Sequence, residues 1–471
     1  MLISGAQLLN GRVVDVLIAA GRVVDIQAHG APFVDGSAQR LDAGGGLLLP
    51  GLHDHHIHVP AAAAAMASVR CGPPEITTVA DLEALLAAPG SNWLRGIGYH
   101  ESIAGMLDRA WLDRVQPSRP VRVQHRGGRM WAFNSAGLDK LLESGIRPPP
   151  ELDLANGQLL DADSWLRAAL GSTPPPFDAV GRELARYGVT GITDMTPAND
   201  VTMAWHFAAE QQRGALPQQV VLAGQAALEG PPGIALGPVK VHLHEPHLPD
   251  FSALVGAIKS AHQAGRGVAV HCVTETELVF ALAAWTEARA RPGDRIEHAS
   301  VTPDTALEQI ASLGLAVVAQ PHFVFERGDA YLADIAPAVW PHLYRLRAFV
   351  DRGIVLAGGS DAPFGKANPW AAMAAAVDRR TRAGCRLEGE ETLTPEQTLS
   401  LFLADPLDLG RQRRIEVGAP ADLCLLSKPW GEARKALSAE LVRAVCVGGR
   451  LVYQGIDQPP LQCGEPADPL A

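Results

Sequence analysis

The residues that could do chemistry in this sequence are histidines, a lysine and an aspartate that close short apolar runs. His56 and His58 lie two apart in LLLPGLHDHHIH (47–58), so on a strand both imidazoles project from one face and can chelate one metal ion. Lys240 sits within GPVKVHLHE (237–245), His271 near the end of GVAVHCV (267–273), His298 in RIEHAS (295–300), and Asp361 at the end of GIVLAGGSD (353–361). A lone histidine pair is a weak signal. Four imidazoles and a carboxylate, each at a strand end and in order, make a metal site by ligand type and by position. His322, in LAVVAQPHF (315–323), is a candidate to hydrogen-bond a substrate carbonyl or leaving group. Arg129, Trp131 and His125, in PVRVQHRGGRMWAFNS (120–135), are candidates to close over a substrate carboxylate and an apolar group. His242, His244 and Glu245 follow Lys240, and their alternation puts the two histidines on one side of the strand.

The elements that must position these groups alternate. Eight short apolar runs end in polar residues: the five runs above that carry the metal candidates, together with GVTGITDM (188–195), QVVLAGQ (219–225) and LAVVAQPHF. Helical patterns such as FSALVGAIKSAHQAG (251–265), TELVFALAAWTEARA (276–290) and PDTALEQIASLG (303–314) lie between the later ones. Eight strand–helix units predict a parallel, closed (β/α)8 barrel, whose active site forms at the C-terminal ends of the strands. More than 120 residues separate the first run from the second, too many for one crossover. Residues 61–174 are therefore read as an insertion shaping the substrate pocket, and 48–60 with 175–412 as the barrel. Strand-like patterns at both ends, 1–47 and 413–457, predict a small β-sandwich domain assembled from the two termini, and the Pro-rich 458–471 a loosely ordered tail.

Composition narrows the function classes. The 471-residue chain is 47% hydrophobic and 19% charged, with a net charge of -11, which argues against a nucleic-acid footprint or a membrane-surface helix. No run of about 18 apolar residues offers a membrane span, and the first residues alternate like strands rather than forming an apolar leader. The expectation is a cytoplasmic protein acting on a small molecule, without nucleic-acid or membrane partners and with homo-oligomerisation open. The six cysteines lack paired spacing and read as reduced, buried groups. Phosphate-cradling glycine motifs are absent in strand-to-helix context.

PGLHDHHIH (50–58) resembles the signature of the amidohydrolase superfamily, and the order continues with lysine in VKVHL, histidine in VAVHC, histidine in RIEHAS and aspartate in GGSD. WLRGIGYHE (93–101), PVRVQHRGGRMWAFNS, GGSDAPFGKANPWAAM (358–373) and LTPEQTLSLFLADP (393–406) are similar to the branch that includes N-substituted formamide deformylase. The resemblance implies the same barrel and terminal β-domain, a conserved aspartate at Asp54, and no ligand role for His53 and His55. It implies His56, His58 and Asp361 on one metal, His271 and His298 on another, and a carbamylated Lys240 bridging two divalent ions. Zinc is favoured, with manganese, iron or cobalt as alternatives. This chain departs from the branch at HLHEPH (242–247), where an aspartate–glycine segment is usual, and at HRGGRMW (125–131). Both departures border the presumed pocket.

The implied reaction is hydrolysis of an amide-type C–N bond by a metal-activated water, with Asp361 as general base and then acid. Two readings compete. A mononuclear deaminase, or a hydrolase of a lactone, carbamate or phosphoester, keeps the metal but does not need Lys240. A catalytically inert barrel serving as a binding protein is expected to lose ligands.

Overall fold

In the computed structural model, residues 1–31, 39–73, 75–171, 175–455 and 462–463 are described. Eight parallel strands form one sheet: β1 (Leu52–Ile57), β2 (Val189–Asp194), β3 (Gln219–Gly224), β4 (Ala235–His242), β5 (Val268–Cys272), β6 (Arg295–His298), β7 (Ala316–Ala319) and β8 (Leu356–Gly358). Their spatial order follows the chain, which is the (β/α)8 barrel arrangement. The strands are short and mostly buried, as expected where both faces are covered. β1, β2, β6 and β8 are buried throughout.

The ring closes where the segment after β8 meets β1. The Asp361 N–H donates to the His56 carbonyl at 2.7 Å. Gly359 lies so near β1 that an added Cβ would sit 2.5 Å from the His56 Cβ, so only glycine fits there. Helices Val201–Gln212, Phe251–Gln263, Glu275–Ala288 and Asp304–Leu313 follow β2, β4, β5 and β6. Their starts are chemically marked: Thr274 and Glu277 form a capping box, and Asp200 and Asp250 cap their helices through their carboxylates.

The termini build two further sheets. One contains Leu2–Gln7, Val13–Ala19, Arg22–Ala28, Gln39–Asp42 and Gln462–Cys463; the other contains Leu48–Pro50, Leu423–Leu426, Val442–Val447 and Arg450–Gln454. They share a core of Val14, Val16, Leu48, Leu423, Leu425 and Ala444. The run read as one strand over 47–58 is two: Leu48–Pro50 pairs antiparallel with Leu423–Leu425, and only from Leu52 does the chain join the barrel. The barrel thus begins a few residues later than expected, because Gly51 turns its N–H to the Asp422 carbonyl. Of the 458–471 tail, Gln462 and Cys463 pair with Gln39–Arg40; the rest lies outside the described residues.

By contacts the chain divides into two compact units, Met1–Val59 with Phe177–Ala471, and Pro60–Pro176. The second has its own six-stranded sheet, in the order Leu152–Asp153, Gln158–Leu160, Met130–Phe133, Val121–His125, Leu94–Tyr99 and Val69–Arg70. Two apolar clusters serve it, one around Leu82, Leu94, Val121 and Val123, the other around Trp131, Phe133, Leu138 and Leu159. Among the described residues no helix is long and apolar enough to cross a membrane.

Candidate metal centre at the barrel mouth

The C-terminal ends of the barrel strands bring together the residues that stood out in the sequence. His56 and His58 come from the end of β1, Lys240 from β4, His271 from β5, His298 from β6 and Asp361 from the turn after β8. One ring nitrogen of His56, one of His58 and one Asp361 oxygen all lie within 4.8 Å of one another, a grouping able to hold a metal ion. Asp361 Oδ1 is 3.1 Å from His58 Nε2 and 3.4 Å from His56 Nε2. The His298 ring lies 4.8 Å from that of His56 and 4.4 Å from that of His271, centroid to centroid.

Two of these residues carry unusual backbone. His298 has φ of 75° and Asp361 of 52°, the left-handed region that costs a non-glycine residue of order 1–3 kcal/mol. In a regular strand Glu297 and His298 would face opposite ways. The left-handed turn at His298 breaks that alternation, so both reach His56: Glu297 through a 2.6 Å bond from His56 Nδ1, His298 through its ring.

The electrostatics follow from burial. Desolvation lowers the pKa of His56 to about 4 and of His298 to about 3, and lowers that of His271, where the neighbouring His298 adds to the effect. All three imidazoles are therefore neutral at pH 7, the form that ligates metals. Burial pushes the Asp361 carboxyl up, but the hydrogen bond from His58 and the surrounding imidazoles outweigh it and hold it ionised. Burial likewise pushes Glu297 up, while Arg295, 2.6 Å away through Nε, and His56 pull it below the usual carboxylate range. Lys240 is lowered to about 8 by burial, opposed by Glu297 and reinforced by Arg295.

Hydrogen bonds leave a specific remainder. Glu297 holds Nδ1 of His56, Thr196 lies 3.2 Å from Nδ1 of His58, and Gln320 accepts from Nδ1 of His298 at 2.6 Å. Lys240 Nζ and His298 Nε2 are buried with no hydrogen-bond partner. Glu297, Arg295, Gln320 and Thr196 were not singled out in the sequence. The signal for the first two was Arg–x–Glu on one face of a barrel strand, a charged pair where apolar residues are the rule.

The other candidates divide. Asp54 is not at the metal grouping; its Oδ1 accepts the backbone N–H groups of His56 and Ser360, tying β1 to the β8 turn. Burial raises its carboxyl to about 6. His53 bonds Thr193 at 2.9 Å and stacks near His55, both buried outside the metal grouping. His322 spends Nε2 on the Ser360 carbonyl at 3.0 Å, leaving only its buried Nδ1 unpartnered. His242 stacks on His271 at 4.2 Å, while His244 lies near His247, and Glu245 accepts from Thr276.

Three candidates fall in the Pro60–Pro176 unit, and each has a partner there. Trp131 is a core residue whose indole N–H already donates to Asp163 at 2.9 Å. Arg129 is exposed and forms a bidentate pair with Asp161 rather than standing free for a substrate carboxylate. His125 bonds Glu101 at 2.8 Å, with His100 alongside. The acids that occupy Trp131 and Arg129 lie some thirty residues further on, beyond the reach of a local pattern.

Residues 39–453 match the amidohydrolase family. The chain belongs to that family. It is 25% identical to N-substituted formamide deformylase of Arthrobacter pascens over 93% of this chain and 94% of that one. It is 23% identical to the putative amidohydrolase YtcJ of Bacillus subtilis, covering 91% and 92% of the two chains. An uncharacterised metal-dependent hydrolase of Pyrococcus horikoshii OT3 shares the fold, with a TM-score of 0.75 at 17% identity and coverage of 96% and 99%. Family membership makes this amidohydrolase a metal-dependent hydrolase, and its donor set fits such an ion. The candidates include the neutral imidazoles of His56, His271 and His298 and the ionised carboxylate of Asp361, and Lys240 Nζ and His298 Nε2 lack any partner. The thiol beside His271 is not among them, since Cys272 Sγ points to the Glu277 carbonyl.

Proposed function

We propose that this amidohydrolase cleaves an amide-type C–N bond of a small molecule, an N-acyl, N-formyl or cyclic amide, at a binuclear centre in the barrel mouth. On this reading His56, His58 and Asp361 would hold one divalent ion and His271 and His298 the other, with Lys240, as a carbamate, a ligand shared between them. The observation that carries it is the pair of orphaned buried nitrogens, Lys240 Nζ and His298 Nε2, next to a ready His–His–Asp grouping. A buried polar group without a partner costs roughly 1–3 kcal/mol, and ligation removes that cost. For Lys240 the amine nitrogen attacks carbon dioxide and a proton leaves to solvent, which turns a cation beside two metals into an oxygen donor.

A bound divalent ion, zinc or one of manganese, iron and cobalt, supplies Lewis-acid polarisation of the scissile carbonyl and a water whose pKa is near 7. The chain's own residues do the rest. Asp361, held ionised, takes the proton of the attacking water and delivers it to the leaving nitrogen. Glu297 and Gln320 accept from Nδ1 of His56 and His298, which fixes each tautomer with the Nε2 lone pair free. The likeness to N-substituted formamide deformylase supports C–N chemistry, while the HLHEPH segment after Lys240 argues for a substrate of this chain's own.

The test is metal content per chain together with hydrolysis of N-acyl, N-formyl and cyclic amides, after purification in bicarbonate. About two ions per chain, with activity lost in Lys240→Ala, is the expected result. One ion and indifference to Lys240 would leave a mononuclear centre of His56, His58, His271 and Asp361. A chain that takes up no metal and cuts no amide overturns the reading.

A further inference from the structure

A second cluster of charge lies wholly within the Pro60–Pro176 unit and takes no part in the barrel-mouth chemistry. Strands Leu94–Tyr99 and Val121–His125 run parallel in a register that sets Arg95 directly beside Arg122. Both guanidiniums lie over indole rings: Arg95 over Trp131 at 5.4 Å, Arg122 over Trp131 at 5.5 Å and over Trp93 at 5.4 Å. Both arginines are half-buried. Contact with the rings favours the two charges. It does not satisfy the N–H donors.

Those donors are poorly served. Arg95 gives one to Ser68 Oγ at 2.8 Å, and Arg122 Nε is buried with no partner. Elsewhere in this unit Arg109, Arg114 and Arg129 each have a carboxylate within ion-pair distance, in Asp113, Glu83 and Asp161. Among the described residues Arg95 and Arg122 have none. Asp163, the acid that acts on Arg95, is engaged by the Trp131 indole N–H. Burial lowers both guanidiniums, and for Arg122 the charge of Arg95 lowers it further, to about 10. Two adjacent like charges in a half-buried setting repel unless an anion is shared between them.

We propose that Arg95 and Arg122 form an oxyanion-binding site, accepting the carboxylate or phosphate group of a small ligand against the Trp93–Trp131 wall. One oxyanion can accept from the N–H groups of both guanidiniums and so neutralise the pair. The chemistry differs from that of the barrel mouth, where the His56–His58–Asp361 grouping suits a cation.

Equilibrium dialysis of the full-length protein against labelled phosphate and labelled acetate, at pH 7 and constant ionic strength, tests this. Saturable binding is expected, about tenfold or more weaker in Arg122→Gln and Arg95→Gln and retained in Asp361→Asn. Saturation by acetate alone identifies a carboxylate ligand, and by phosphate alone a phosphate. A second readout needs no variant: the oxyanion should protect Arg95 and Arg122, but not Arg126, from phenylglyoxal, read by peptide mass spectrometry. The proposal is overturned if neither ion binds saturably, or if binding and protection are indifferent to these two arginines.

Discussion

The barrel mouth and the Arg95–Arg122 face show the same kind of defect with opposite sign. At the mouth, buried nitrogens of Lys240 and His298 stand unpartnered among neutral imidazoles and ionised carboxylates, an arrangement that metal ions would complete once Lys240 is carbamylated as proposed. On the sheet of the Pro60–Pro176 unit, two guanidiniums stand side by side with no carboxylate within ion-pair distance among the described residues, an arrangement that an anion would complete. Buried polar groups in folded proteins are satisfied almost without exception. Where an orphan lies beside other groups that can share a ligand, the charge around it gives the sign of that ligand. The supporting shells differ too. Glu297 and Gln320 orient the imidazoles of the mouth, whereas aromatic faces hold the guanidiniums.

The largest effect expected is at Asp361. Asp361→Asn removes the group assigned to move the proton and one of the three donors of the His56–His58–Asp361 grouping. Amide hydrolysis should fall by roughly 10²–10⁴-fold in kcat/KM, the range for loss of a positioned acid–base group. Oxyanion binding in the other unit should not change. A variant that kept its activity would remove Asp361 from the mechanism and dissolve the contrast between the two regions.

Trp131 sharpens the contrast from the other side. Its ring is buried among Phe133, Leu138 and Leu159, and its N–H is bonded to Asp163. Trp131→Ala should cost roughly 3–5 kcal/mol of stability, as for other large-to-small core changes, seen as a lowered denaturant midpoint. The KM for an amide substrate should stay the same in the fraction that folds. A raised KM with unaltered stability would restore Trp131 to the substrate-contacting role its sequence neighbourhood suggested.

A smaller effect is expected at Glu297, whose carboxylate accepts from His56 Nδ1 and is itself held by Arg295. Glu297→Gln should weaken metal affinity by roughly 10–100-fold, the usual cost of losing a group behind a ligand. A competitive chelator titration reads this directly, without recourse to turnover. A structural role alone would instead lower thermal stability and leave the affinity of the folded protein unchanged.

Much of this molecule was legible before folding, for a physical reason that also sets the limit. Barrel strands are short apolar runs, and a charged or imidazole group at the end of each has few uses other than the mouth. His56, His58, Lys240, His271, His298 and Asp361 could be read in that way. Glu297 could not, because strand alternation assigns it to the face opposite His298, and only the left-handed φ of His298 brings both to His56. Arg95 and Arg122 escaped for another reason. Their adjacency is created by the parallel register of two strands, which no local pattern records. The division of 47–58 into two strands at Gly51 follows from pairing partners far along the chain, Leu423–Leu425 before it and Val189–Asp194 after it.

The smallest effect tests whether the Pro60–Pro176 unit also holds balanced charge. Glu101 accepts from His125 at 2.8 Å, and that bond, the largest influence on it, lowers its carboxyl from the ordinary 4.5 to about 2. A depressed carboxylate stabilises the folded state above its unfolded pKa, and the contribution is lost as pH falls from about 4.5 through about 2. Both groups are solvent-exposed enough for water and salt to screen the pair, so its weight in overall stability is small. The signature is the titration itself. Followed by carboxyl ¹³C NMR, Glu101 should titrate near 2 in the parent chain and return toward 4.5 in His125→Ala. An unmoved midpoint would mean that the pair exerts no pull in solution. Arg129 with Asp161 would then be the better example of a matched pair against which the unmatched Arg95 and Arg122 stand out.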